Sequence, residues 1–359
     1  MVSNNIRQRS ERRYADELER LASADSNPKP DGWQLSPRMV RTFVIGDSKL
    51  DISRKFYGDD QLVERCIVTL MGNRGLLLVG EPGTAKSMLS ELFAAAISGD
   101  STLTVQGTAG STEDRIIYSW NYALLIAEGP SPAALVPGPV LRGLAAGKIV
   151  RLEEITRIQS EVQDSLISVL SEKLVVIPQL SGEDGEVAAQ RGFNLIGTAN
   201  LRDRGVHELS SALKRRFNFE TVRPIADRSL ETKLIIEQTN EQLDDSGIDV
   251  KIHTDVIDVL VESFNDLRTG LTSDGLSIET PSTVMSTAEA VAVAHSAALD
   301  AAYLGSGKVT AAHVGRQLIG TVLKDNADDA AKLRHWMDVV VKRRSGKHWK
   351  DLHSVRGEL

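Results

Sequence analysis

The stretch Gly80-Glu81-Pro82-Gly83-Thr84-Ala85-Lys86-Ser87 decides how the rest of this sequence is read. An apolar run, Leu76-Leu77-Leu78-Val79, precedes it and reads as a strand, and residues 87–97 follow with helical periodicity. A polyphosphate requires a concave row of backbone N–H donors, a helix N-terminus and a cation, and a strand–loop–helix of this kind supplies all three. Gly80 and Gly83 let the backbone approach closely because no Cβ intervenes. Lys86 is spaced to reach the β- and γ-phosphates, and the Ser87 hydroxyl to ligate Mg²⁺. The pattern is a P-loop with one departure: Ala85 occupies the position of its second glycine. An alanine is tolerable there if that residue already has helical dihedrals and its methyl points away from the phosphates. The alternative, a glycine turn into a buried helix that binds nothing, leaves the lysine–hydroxyl pair without a purpose.

Outward from this loop, residues 103–105, 149–152, 193–198 and 217–222 are further apolar runs of strand length, with helical stretches between several of them. Strands alternating with helices predict an α/β domain with a mostly parallel sheet. Residues 174–180 and 187–190 flank Ser181-Gly182-Glu183-Asp184-Gly185 and read as a β-hairpin inserted before the fourth core strand. The third strand ends in Glu153 and Glu154, and ligands collect at the carboxyl ends of parallel strands. Glu153 is the candidate holder of the Mg²⁺ water shell, and Glu154 the candidate group that polarises an attacking water. Glu153 is one methylene longer than the usual aspartate, which puts the metal geometry in question. Asn200 closes the fourth strand with an amide placed to orient that water. Arg215 and Arg216 follow at a helix end, where one of them can reach a neighbouring subunit's nucleotide. The sequence does not choose between the two, and a plain surface cluster is the alternative.

The totals bound the rest. A chain of 359 residues suggests two domains, and its 41% hydrophobic content excludes wholesale disorder. Lys and Arg total 42 against 49 Asp and Glu, a net charge of −7, which removes any bulk electrostatic reason to coat nucleic acid or a membrane. Cys66 is the single cysteine, so an internal disulfide and a multi-cysteine metal site are excluded. No signal peptide or span-length apolar run is visible, and a cytoplasmic location is expected. Residues 1–48 read as an appendage, a charged helix over 6–22 and a breaker-rich tether. Residues 49–224 are the α/β domain and 225–325 an all-helical one, with helices over 229–243, 255–268, 282–303 and 311–324 and a plausible N-cap at Thr310. Residues 326–359 read as a basic helical tail, with a solvated helix over an apolar groove preferred to a nucleic-acid contact.

The motifs, in this order and spacing, resemble the AAA+ ATPases over roughly residues 50–320, and within them the MoxR family of the helix-2-insert clade, related to magnesium-chelatase-type subunits. Phe56-Tyr57-Gly58-Asp59-Asp60 is similar to the segment lining the adenine pocket, which assigns Tyr57 and Gly58 to the base. Glu81, Pro82, Gly83, Thr84, Ala85, Lys86, Ser87 and Met88 resemble Walker A and its first helical turn. Arg151–Arg157 resembles Walker B, with Glu153 and Thr156 as departures, while Asn200 falls on sensor 1 and Arg216 on a "DRF"-like ending. Residues 107–137 resemble a helix-2 insert, and the hairpin at 174–190 a pre-sensor-1 hairpin. The sensor-2 arginine is missing: Thr280-Pro281-Ser282 stands at its tripeptide, placed at a helix start, with Arg268 a conceivable substitute. The resemblance implies ATP and Mg²⁺ as cofactors, a homo-oligomeric, hexameric ring, a protein client, and a partner carrying a von Willebrand factor A domain. Two rivals stand beside this remodelling ATPase: an ATP-gated scaffold with weak hydrolysis, and a DNA motor, which the acidic total and lack of a DNA-binding module oppose.

Overall fold

Five short runs rich in Leu, Ile and Val pair side by side: β1 (Gly75–Gly80), β2 (Thr104–Gln106), β3 (Ile149–Glu153), β4 (Asn194–Asn200) and β5 (Phe217–Val222). All pairs are parallel and the spatial order is β2-β3-β4-β1-β5. Every residue of β1 and β3 is buried, as expected of strands covered on both faces. The structure is a computed structural model and describes residues 7–200, 207–324 and 326–359. It divides into two compact units, one of residues up to 81 with Ala85–Arg223, the other of Pro82–Thr84 with Pro224–Leu359. The α/β sheet followed by an all-helical region is the fold class the sequence predicts, with strand bounds agreeing closely.

In the first unit, residues 7–48 are not a solvated appendage. The helix expected over 6–22, whose first residue lies outside the described ones, is two helices, Ser10–Arg13 and Ala15–Ala24, and a further helix, Pro37–Ile45, follows. Ser36 caps that helix by accepting from Met39 N, and Pro37 takes its first position. Leu21, Leu35, Val40 and Phe43 are buried in the same core as Leu76, Leu78, Leu89 and Phe93. A buried lysine fastens the segment. Lys55 Nζ donates to Glu17 Oε2 at 2.5 Å and to Phe43 O at 3.0 Å, and lies 4.6 Å and 4.4 Å from the Tyr14 and Phe43 ring centres. Burial holds its ammonium below the usual lysine range, and Glu17 offsets part of that shift.

Two inserts carry hairpins of their own. Within residues 107–137, Tyr118–Trp120 pairs antiparallel with Leu135–Pro137. The helix Tyr122–Glu128 spans that hairpin without burying a residue, leaving Tyr122 65% and Ile126 86% exposed. The second hairpin pairs Leu174–Val176 with Glu186–Ala188, shorter than the predicted strands. Pro178 has no N–H for a ladder, and the chain turns through Gly182–Gly185 instead.

The second unit is helical: Arg228–Asp245, Thr254–Thr269, Thr287–Tyr303, Ala311–Val322, Asp328–Val339 and Lys347–Ser354. Thr310 and His313 form the capping box that opens Ala311–Val322. The helix expected from residue 282 begins at Thr287, because Ser286 takes the cap position by accepting from Glu289 N. Residues 326–359 pack inside this unit rather than trailing from it. Trp336 is fully buried among Phe264, Leu318 and Leu352, and its indole N–H donates to Asp266 Oδ2 at 3.1 Å. The basic run contributes Arg344, which pairs with Asp266 at 3.0 Å and stacks 4.4 Å from the Trp349 ring centre. Among the described residues no helix is long and apolar enough to cross a membrane.

Leu21 separates an integral helix from a tether. Leu21→Ala is expected to lower the stability of the first unit by about 2–4 kcal/mol, as truncation of a buried leucine does, in denaturant unfolding followed by circular dichroism. A solvated segment would lose nothing measurable.

Candidate functional site

β1 delivers the chain to its carboxyl end, where the phosphate loop begins. Gly83 has φ +76°, a left-handed conformation that suits glycine. Ala85 also lies there, at φ 64° and ψ 21°, outside the right-handed helical region in which an alanine would be unstrained. A Cβ in this region costs about 1–2 kcal/mol, so the loop conformation is imposed by its surroundings. Ala85 O accepts from Leu89 N at 2.9 Å and starts the helix Lys86–Ser98. Lys86 is buried, and its Nζ donates to Gly80 O at 3.2 Å and Glu81 O at 2.7 Å. The ammonium thus rests on the loop's own carbonyls. Met88, one turn into the helix, packs against the core, and Thr84 and Pro82 complete the turn half-buried.

Glu153 is the hub of the site. Its carboxylate is 5% exposed and accepts four short hydrogen bonds. Oε1 receives Ser90 Oγ at 2.6 Å and Arg151 Nη2 at 2.7 Å. Oε2 receives Ser87 Oγ at 2.6 Å and Thr198 Oγ1 at 2.8 Å. Burial opposes the charge, but the Arg151 guanidinium and the three hydroxyls outweigh it and hold the carboxyl below its usual range. Through these contacts one carboxylate oxygen faces the Ser87 hydroxyl. Arg151, Ser90 and Thr198 escaped the sequence reading. The available signal was Arg151 itself, a cation within the apolar run Ile149-Val150-Arg151-Leu152 that needs a buried partner.

Glu154 sits beside the hub at φ 53°, another left-handed residue. Its Oε2 pairs with Arg157 Nε at 2.6 Å, and its backbone N–H donates to Thr198 Oγ1 at 3.0 Å. Asn200 lies directly across from Gly80 in the β1–β4 ladder, which brings the amide to the start of the phosphate loop. Gly107, where β2 gives way to the first insert, passes the same strand end: its N–H donates to Glu153 O at 2.7 Å, and a Cβ would lie 2.3 Å from Glu154 O.

The remaining predicted residues fall elsewhere. Phe217 pairs with Gly75, so Arg215 and Arg216 stand at the amino end of β1, about 16 Å of strand from Gly80 at roughly 3.3 Å per residue. Arg215 is exposed, with its Nε on Ser211 O at 3.2 Å, while Arg216 is held by Ser171 Oγ and by Ala212 O. Tyr57 is half-buried with Arg54 5.8 Å from its ring centre, and Gly58 is exposed before the helix Asp60–Met71. In the second unit, Ser282 stands before its helix and not at its start, and its N–H and hydroxyl donate to the buried Asp329. Arg268, the conceivable substitute for the missing arginine, donates from Nη2 to Glu231 Oε1 at 2.9 Å, which also receives Thr287 Oγ1 at 2.6 Å.

The donor set fits a magnesium nucleotide. Among the described residues no group of three His, Cys, Asp or Glu could cage a metal. Mg²⁺ normally takes only one or two protein oxygens, with phosphate and water completing its shell. Ser87 Oγ and Glu153 Oε2 form such a pair beside the only lysine of the loop.

Two outcomes follow from this geometry. Ala85→Gly relieves the left-handed strain and is expected to raise stability by up to about 1 kcal/mol, after the greater freedom of unfolded glycine is deducted, measured by urea unfolding. Glu153 has a folded pKa below its ordinary 4.5, so its charged form stabilises the fold above that value and the contribution is lost as pH falls through the folded one. Glu153→Gln is therefore expected to be less stable than the parent near neutral pH, with the gap narrowing below pH 4.5 in the same unfolding measurement.

Comparison with known proteins bears on both units. Residues 75–217 match the AAA domain of the dynein-related subfamily, and residues 229–359 the YehL-like AAA+ ATPase C-terminal domain. The chain is 30% identical over 171 residues to the chaperone MoxR1 of Mycobacterium tuberculosis, a match covering 47% of this chain and 41% of that protein. The crystal structure of NtrX from Brucella abortus superposes with a TM-score of 0.51 at 13% identity, over 84% of this chain and 63% of its own, and shows the fold alone. Escherichia coli K12 YehL is 49% identical over 346 residues, 96% of this chain and 95% of that protein. A match of that extent, spanning both units, places the chain in the family of YehL-like AAA+ ATPases.

Proposed function

We propose that this chain binds ATP with Mg²⁺, hydrolyses it, and works as one subunit of a six-membered ring that remodels a protein client in the manner of the MoxR chaperones. The observation that carries the reading is the Ser87–Glu153 contact of 2.6 Å beside Lys86, with Asn200 abreast of Gly80. Lys86 would hold the phosphates, and Ser87 with Glu153 would hold the metal, whose part would be to neutralise phosphate charge. Glu154 and Asn200 orient water. Tyr57 and Gly58 are assigned to the base by resemblance.

The strand register supports completion of the site by a second copy. Arginines at the amino end of β1 stand far from their own phosphate loop, yet such a cation is what an adjoining subunit would supply. Exposure favours Arg215 as that group, whereas the resemblance pointed to Arg216. Client contact is assigned to the insert at residues 107–137 and the 174–190 hairpin, whose Ile126 and Val176 are exposed. A von Willebrand factor A protein is the proposed partner, on the strength of the MoxR likeness.

Specific contacts favour a second reading, an ATP-gated scaffold that turns over slowly. Glu154 is engaged by Arg157, Ser282 carries no charge, and Arg268 is committed to Glu231. A steady-state phosphate-release assay with sizing in the presence and absence of ATP decides. The motor reading expects Lys86→Ala to abolish binding and Glu154→Gln to retain it while losing at least about 100-fold in turnover, the scale of a lost general base. Ring formation on ATP without turnover supports the scaffold. Absence of binding heat for ATP with Mg²⁺ overturns both.

A further inference from the structure

Glu91 lies on the same helix as Ser87 and Ser90, and only 2% of it is exposed. A buried carboxylate must be paired to be tolerated. The hydrogen bonds it receives come from the N-terminal segment: Ser10 N and Oγ donate to Oε1 at 3.0 and 3.1 Å, and Arg7 Nη2 to Oε2 at 2.7 Å. Its other cation is Arg151, with Nη1 3.8 Å from Oε2. That guanidinium also donates to Glu153 Oε1 at 2.7 Å, Ser90 Oγ at 2.9 Å and Ser87 O at 3.0 Å. A second thread reaches it through Ser101, whose N–H donates to Glu11 Oε1 at 3.3 Å and whose carbonyl accepts from Arg151 Nη1 at 3.3 Å. Residues 7–11 thus meet the metal-site carboxylate through one arginine.

We propose that this N-terminal arm is a positioning element of the metal site: docked, it satisfies Glu91 and leaves Arg151 to orient Glu153, and released, it lets Glu91 draw Arg151 away. The arm's own cation, Arg7, is 74% exposed and is open to displacement by another acidic group. Arg151 and Glu91 act here through Glu153 and touch no reacting atom. The proposal deepens the reading of the site as a Mg²⁺–nucleotide site and rests on it.

Calorimetric titration of the full chain with ADP, once with excess Mg²⁺ and once with EDTA, tests the arm. The variant Arg7→Ala/Ser10→Ala is expected to bind Mg²⁺–ADP about tenfold more weakly, the lower end of what loss of an outer partner of a metal ligand brings, while binding in EDTA changes by less than about twofold. Adding Glu91→Gln to that background is expected to restore the Mg²⁺-dependent affinity, because a neutral amide no longer competes for Arg151. By linkage, Mg²⁺–ADP should also slow hydrogen exchange at the Ser10 amide in the parent. Equal losses with and without Mg²⁺, no loss in either, or no recovery on Glu91→Gln would each overturn the arm's role. Arg7→Ala alone, at an exposed side chain, carries the same expectation if the double variant misfolds. A parent that binds ADP no more tightly with Mg²⁺ than without overturns the site itself, and the arm with it, before any variant is made.

Discussion

One buried carboxylate constrains the first unit. Glu153 has exchanged water for four donors, and those donors belong to three elements: Ser87 and Ser90 to the helix after the loop, Arg151 to its own strand, and Thr198 to the next. Removing the Arg151 cation leaves the buried carboxylate without its counter-ion, at about 3–5 kcal/mol, and removing one hydroxyl donor costs about 1.5–3 kcal/mol. The strand order is what brings them together, since β3 and β4 are neighbours and β1 delivers the helix alongside. Packing and chemistry are therefore the same requirement here. The sheet cannot be rearranged without stranding Glu153, and Glu153 cannot be replaced without loosening the sheet end.

Much of this was legible in the sequence because it was local. A phosphate loop is contiguous, with its strand before and its helix after, so Gly80 to Ser87 could be read without tertiary information. The acidic end of β3 and the amide of Asn200 were likewise legible as polar residues closing apolar runs. What escaped depended on partners distant in sequence. The segment before residue 48 looked charged and detached because Leu21 and Phe43 find their core only when Leu76 and Phe93 are in place. Arg151 looked like an ordinary strand residue because Glu91 and Ser90 lie about sixty positions away. The start of the helix at Thr287 was misplaced for a different reason. Pro281 and Ser286-Thr287-Ala288-Glu289 both carry start signals, and the serine–glutamate pair prevailed while Ser282 turned to cap Asp329.

The helical unit handles its polar groups in the same style but to another end. Glu231, Asp266 and Asp329 are each almost wholly buried, and each is satisfied by residues of its own unit: Arg268 and Thr287, Trp336 and Arg344, Ser282 and Lys332. The positions where a nucleotide-sensing cation would be sought are occupied by this internal bonding. The basic C-terminal run joins that scheme through Arg344, which pairs with Asp266 and stacks on Trp349.

Ala85 carries one last implication. A methyl group at a left-handed position narrows the basins open to the backbone on either side, whereas glycine would wander among several. The loop therefore forfeits some thermal stability and arrives at its ligand with less disorder left to surrender. Capture by such a cradle resembles a key meeting a cut lock more than a hand closing on a ball.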